Sequence, residues 1–224
     1  STTVGTEKTA FTKESVMLDA DWVGSDKVDT EIVLSHGYDS IDYEDPSSDS
    51  LHRLHTLDLI NRWGWYAGER LLFRAGGDFQ YAFLDSKGFG RARDASGGVY
   101  VALEVTADRL QVVPSLKAVA RESSAPVPIP KLGLVYRADD ELTLKNNYYC
   151  TFRFPALNEL YWPQDATAEG NPDLDPEDGF GADFAVSYAK KDLFTLESSV
   201  YLSYHKDAIS WYSVGGKWRP DNVG

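Results

Sequence analysis

The sequence predicts an all-β fold, an antiparallel up-and-down meander of about ten long strands that forms part of a transmembrane β-barrel. Three observations carry this. Apolar and polar residues alternate with period two again and again, while helical periodicity is poor throughout. Several extended runs exceed the ~5–6 residues usual for a soluble strand. The connections alternate between short turns and longer polar loops, as in a meander with two unequal ends.

In chain order, Trp22 stands just before a short turn at Gly24–Lys27, and Lys27–Ile41 reads as one extended run. A polar loop over about 43–51 follows, then a second long run, Leu51–Tyr66, and a short turn at Ala67–Arg70. From Leu71 the alternation is explicit. Leu71, Phe73, Ala75, Gly77, Phe79, Tyr81 and Phe83 share one face; Leu72, Arg74, Gly76, Asp78, Gln80 and Ala82 share the other. After a glycine-rich loop over about 86–98, Val99, Val101, Leu103 and Val105 alternate with Tyr100, Ala102, Glu104 and Thr106. A turn at Ala107–Arg109, a loop over about 121–130 and a turn at Ala138–Glu141 precede the strand Leu142–Phe152. The longest loop, about 155–179, leads to the strand Phe180–Ala189 and a turn at Lys190–Asp192. In the last run, Phe194, Leu196, Val200, Leu202 and Tyr204 share a face. Asp, Gly and Lys at the short turns supply turn conformations and solvation.

One apolar and one polar, even charged, face over such long strands fits lipid outside and a wet or plugged lumen inside. A soluble sandwich would bury its apolar faces sheet on sheet and use shorter strands. Trp22, Trp63, Trp65, Tyr66, Tyr136 and Tyr188 all stand just before short turns, where amphipathic rings suit a membrane interface. No run of ~18 apolar residues offers a membrane-spanning helix, and the N-terminus "STTVGTEKTA" has no signal-peptide pattern.

Among the 224 residues, 35 acidic against 22 basic side chains leave a net charge of −13. That argues against nucleic acid as a partner, since a binder needs a basic face for phosphates; it gives a weak preference for cationic ligands. Cys150 is the single cysteine, so no internal disulfide forms, and a buried structural thiol is expected. His52 and His55 are three apart, face opposite sides of a strand, and make no ligand pair. The acidic run Asp165–Asp178 lacks EF-hand spacing and reads as a solvated loop. No nucleophile motif or phosphate cradle is present, so no enzyme, metal site or cofactor is expected.

The stretch "PKLGLVYRADDELTLKNNYYCTFRFPALNELYWP" followed by "GNPDLDPE" closely resembles a segment of TonB-dependent outer-membrane receptors. The match runs through Pro130, Leu132, Gly133, Leu134 and Tyr136, then a box of Phe152, Arg153, Pro155, Leu157, Asn158, Glu159, Leu160 and Tyr161. A second box has Asn171, Pro172, Leu174, Pro176 and Glu177. Phe154 departs from the small residue usual in the family. The ending "KDAISWYSVGGKWRPDNVG" resembles the strand that follows, and "VVPSLKAVARES" faintly resembles the one before.

The resemblance implies a bacterial outer-membrane location and a barrel of about 22 strands filled by an N-terminal plug. Residues 1–224 would form one segment of that barrel, without the plug. It implies a receptor that binds and imports a scarce nutrient, an iron-siderophore, cobalamin or haem. Outer-membrane lipid, a metal chelate or corrinoid, and a TonB-type energy-coupling protein acting through the plug would be its partners. The long loops would face outward. The boxed residues are expected to fold the rim: prolines at 155, 172 and 176 stop ladder pairing, and Arg153 ties the rim to acidic neighbours. No histidine separates the two boxes, unlike haem receptors of the family. Aromatic and polar loop residues, Tyr161, Trp162, Asn158, Phe89, Arg91 and Arg93, are the candidate ligand contacts. The alternative is a self-standing small outer-membrane barrel with a structural or adhesive role, whose first and last strands would pair.

Overall fold

A computed structural model describes residues 8–25, 27–45, 48–87, 90–122, 124–162, 167–191 and 193–224. Ten strands form one antiparallel sheet in chain order: β1 (Lys8–Ser25), β2 (Val28–Asp45), β3 (Ser48–Tyr66), β4 (Leu71–Ser86), β5 (Gly90–Ala107), β6 (Leu110–Arg121), β7 (Val127–Arg137), β8 (Leu142–Arg153), β9 (Glu177–Lys190) and β10 (Phe194–Lys206). A short helix, α1 (Leu157–Tyr161), lies between β8 and β9, and a separate hairpin, β11 (Ala208–Val214) and β12 (Lys217–Val223), follows β10. β1 and β10 do not pair with each other, so the closed ten-stranded alternative is not formed.

Register puts the alternation to use. Leu34, Leu59, Phe79 and Gly97 lie in one row across β2–β5, and Trp63, Ala75, Val101 and Leu116 in another. These apolar residues stay exposed: Leu59 by 43%, Phe79 by 46%, Val101 by 47%, and Leu202 on β10 by 72%. The buried hydrophobics among the described residues are Leu72, Ala82 and Leu174. A sheet this long with so small a core is not half of a sandwich; its apolar face needs lipid. Trp22, Thr30 and Trp63 share a row near the short-turn end, and Trp65 and Phe73 the next, which forms an aromatic edge to that face. Tyr66 has the opposite parity and donates its hydroxyl to Asp29 Oδ2 at 3.0 Å.

The other face is polar and knitted across strands. Arg62 meets Glu31 at 2.6 Å and Lys117 meets Asp78 at 2.6 Å. Asp58 accepts from Gln80 at 2.7 Å and from Ser35 at 3.2 Å. On β9, a Cβ at Gly181 would lie 2.5 Å from the Tyr149 ring, which lies across the glycine and donates its hydroxyl to Asp183.

Three expected loops are shorter than the sequence suggests. Asp45 pairs with Ser48, so 43–51 is mostly strand; Gly90–Gly98 pairs with Asp78–Ser86, so 86–98 is too; and the β6–β7 connection is only 122–126. A strand of 18 residues reaches about 60 Å, more than the ~30 Å hydrocarbon layer requires even when tilted. Beyond the lipid both faces are wet. The hydrophobic alternation then fades, while the ladder hydrogen bonds continue. Cys150 is exposed rather than buried: it sits on the apolar face opposite Phe180, where lipid rather than protein covers it.

Candidate functional site

The longest connection, 154–176, leaves β8 and folds over the polar face of the sheet. Arg153, the last residue of β8, organises it. Its guanidinium donates to Glu177 Oε2 and Oε1 at 2.6 and 2.8 Å, and to Glu159 Oε2 and Oε1 at 2.9 and 3.2 Å. One planar fork thus joins the end of β8, the helix α1 and the start of β9. Glu159 Oε2 also accepts from the Ala156 amide at 2.7 Å, which closes the first turn of α1. Glu177 Oε1 accepts from the Ile209 amide at 2.5 Å and brings in β11. These groups stand at the strand ends beyond the apolar band. The Arg153 hydrogen bond, with the Ile209 amide and the nearby positive charge, holds the Glu177 carboxyl below its ordinary range; the two carboxylates push Arg153 up.

Asn171 forms the second knot. It is buried, donates from Nδ2 to the Pro220 carbonyl at 3.1 Å, and its Oδ1 accepts from the Asp173 amide and from Arg219 at 3.2 and 3.1 Å. Leu174 is buried beside it, Pro172 lies exposed in a turn, and Pro220 is fully buried. Asn222 closes the contact from the hairpin, exchanging bonds of 2.9 Å with both backbone groups of Asp175. The hairpin itself turns on Gly215 and Gly216, with φ of 60° and 90°, a pair of positive values that glycine adopts without strain.

Between the connection and the sheet lies a cavity of about 760 Å³. Its floor comes from the polar-face parity of β2–β6: Asp39, His52, Leu54, Thr56, Gln80, Leu84, Asp94 and Arg121. Its roof is Phe154–Asn158 and Trp162. Arg121 links the two. Its Nε lies 2.5 Å from Asp94 Oδ1, its Nη1 donates to the Pro155 carbonyl at 2.7 Å, and its guanidinium stands 5.6 Å from the Phe154 ring centre. Phe152 meets Phe154 edge-to-face at 4.8 Å. A site of this size with mostly apolar walls and a few polar groups suits a small-molecule ligand.

Of the expected contacts, Asn158 and Trp162 line this cavity, and the rim residues Pro155 and Leu157 line it with them. Tyr161 and Leu160 lie on α1 outside the lining, Tyr161 half exposed. Arg91 and Arg93 are not loop residues at the mouth. They sit within β5 on the parity of Val99, the apolar side, Arg91 3.8 Å from Asp85; continued pairing of β5 fixes that orientation. Phe89 lies outside the described residues. His52 and His55 do point opposite ways: His52 contacts Ser86 Oγ at 2.8 Å, while His55 packs against His36 and Tyr38 on the apolar side. The floor residues Asp39, Asp94 and Arg121 were not singled out by sequence. The signal that could find them is period-two parity carried across strands, since Thr56, Ala82 and Asp94 fall in one row.

Comparison with known proteins agrees with this architecture. The model of the TonB-dependent receptor-like β-barrel family matches residues 10–224. The vitamin B12 transporter BtuB of Vibrio vulnificus is 33% identical over 75 residues, which is 32% of this chain and 11% of that protein. BtuB of Photobacterium profundum is 30% identical over 98 residues, 42% of this chain and 15% of its own length. The siderophore receptor PirA of Pseudomonas aeruginosa superposes with a TM-score of 0.83 at 14% identity, covering 97% of this chain and 45% of that one. The Serratia marcescens hemophore receptor HasR, in complex with HasA and heme, gives 0.80 at 15% identity, covering 97% and 44%. The chain thus spans less than half the length of each of these relatives. It belongs to the TonB-dependent receptor β-barrel family, a family of outer-membrane transport receptors and not of enzymes.

Proposed function

We propose that this chain supplies barrel wall and outer rim to an active-transport receptor. That receptor would bind a scarce nutrient, an iron-siderophore, cobalamin or haem, and import it with energy from a TonB-type partner acting through a plug. The observation that carries the reading is the cavity beneath the β8–β9 connection. It lies on the polar face, at the end where the rim residues converge, and Asn158 and Trp162 border it. The rim boxes support the same reading from the fold side: Arg153 and Asn171 are engaged in holding the connection in place, so they act as positioning residues. Relatives named for vitamin B12, siderophore and hemophore fit these three ligand classes.

The test is uptake. A source strain lacking the gene should lose accumulation of one of the three labelled nutrients at limiting supply. The intact gene should restore it, and a protonophore should abolish it. Unchanged uptake of all three in the deletion strain would refute the reading.

A further inference from the structure

The charge of the cavity sharpens the receptor reading, on which this inference rests. Its described lining holds two carboxylates, Asp39 and Asp94, and one guanidinium, Arg121. Arg121 is already committed. Its side chain is only 14% exposed; it is paired with Asp94 at 2.5 Å, bonded to the Pro155 carbonyl at 2.7 Å and set against the Phe154 ring. It is a strut between floor and roof, with its charge cancelled where it stands. Asp39 has only Lys13 at 3.6 Å, on a lysine side chain 81% exposed, a pair too open to neutralise it firmly. His52 is engaged with Ser86 at 2.8 Å.

We infer that this cavity takes a neutral or cationic ligand with an apolar body and excludes polyanionic chelates. A polyanion entering here would lose hydration, find no uncommitted cation in the described lining, and face Asp39, whose charge the open Lys13 pair leaves largely uncancelled. An apolar-bodied ligand without negative charge meets Leu54, Leu84 and Leu157 as contact area, and Trp162 and Phe154 as aromatic faces. Asp39, with Arg121 held out of reach by Asp94, then selects through repulsion more than through attraction.

The intact receptor, purified in detergent from outer membranes, is titrated by calorimetry with three probes: neutral cyanocobalamin, cationic ferrioxamine B and polyanionic ferric enterobactin. The expected result is that cyanocobalamin or ferrioxamine B binds at least about tenfold more tightly than the polyanion. Asp39→Asn, which leaves the Arg121 strut untouched, should narrow that margin severalfold, and Asp94→Asn, which frees Arg121, should narrow it further. Tighter or equal binding of the polyanion, binding of none of the three, or a margin unmoved in both variants would overturn the inference. Uptake by cells separates the two levels. Import of the polyanion would leave the receptor reading standing and remove the charge inference. Selective binding with no energy-dependent import of any probe would do the reverse.

Discussion

The sheet and its rim are stabilised in opposite ways. Across β2–β5 the same arrangement repeats row after row, with backbone ladders, an apolar residue outward and a polar residue inward, so stability is spread over many similar contacts. Among its described residues, the connection 154–176 has an isolated bridge, Ala168 to Trp218, in place of a ladder. Its shape depends on a few side chains that each join several segments: Arg153 ties β8, α1 and β9; Asn171 ties the connection to β12; Asn222 joins both to the residue after β10. The wall is sensitive to the class of residue at each parity, the rim to the identity of single residues.

The largest expected effect lies in the wall. Leu59→Arg places a charge in the middle of the apolar band and should cost about 2–4 kcal/mol, measured by urea unfolding of the intact receptor from lipid vesicles. A neutral result would mean that the face does not meet lipid. Next comes Arg153→Ala, which removes four charge-assisted hydrogen bonds. Allowing for partial exposure, it should destabilise the rim by about 2 kcal/mol and open 154–176 to protease while the strands stay protected. Loss of strand protection as well would break the distinction between the two regions. Asn171→Ala should cost about 1–2 kcal/mol by leaving the Pro220 carbonyl buried without its donor, read as faster cleavage near β12.

The smallest effect is a pH dependence. Glu177 titrates below its ordinary value of 4.5 when folded, chiefly because Arg153 donates to it. A depressed carboxylate contributes stability that is fully present above 4.5 and lost as pH falls through the folded value. Rim protection against an acid-active protease should therefore weaken as pH drops below about 4.5, and Glu177→Gln should flatten that dependence while weakening the rim at every pH. A pH response unchanged in the variant would assign it to another group.

Much of the wall was legible because alternation is a local property. The faces of Leu71–Phe83 and Phe194–Tyr204, the short turns and the aromatic positions at Trp22, Trp63 and Trp65 all follow from neighbouring residues. Legibility failed where the lipid ends. Polar stretches such as Gly90–Gly98 resemble loop, yet the ladder carries them on as strand, which in turn moves Arg91 and Arg93 to the apolar side. The hairpin β11–β12 had a usable signal in Gly215-Gly216 between two alternating runs.

The sequence alone determined the strand periodicity and the two faces, because backbone geometry turns a period of two directly into sidedness; the rim residues were marked only by the resemblance of their two boxes to the receptor family. Tertiary structure alone decided the cavity. Asp39, His52, Asp94, Arg121 and Phe154 lie on five separate segments and meet only through the register of β2–β6 and the inward fold of one connection. Register is fixed by cooperative pairing along whole strands, and a shift of one residue would turn every one of those strand side chains to the opposite face.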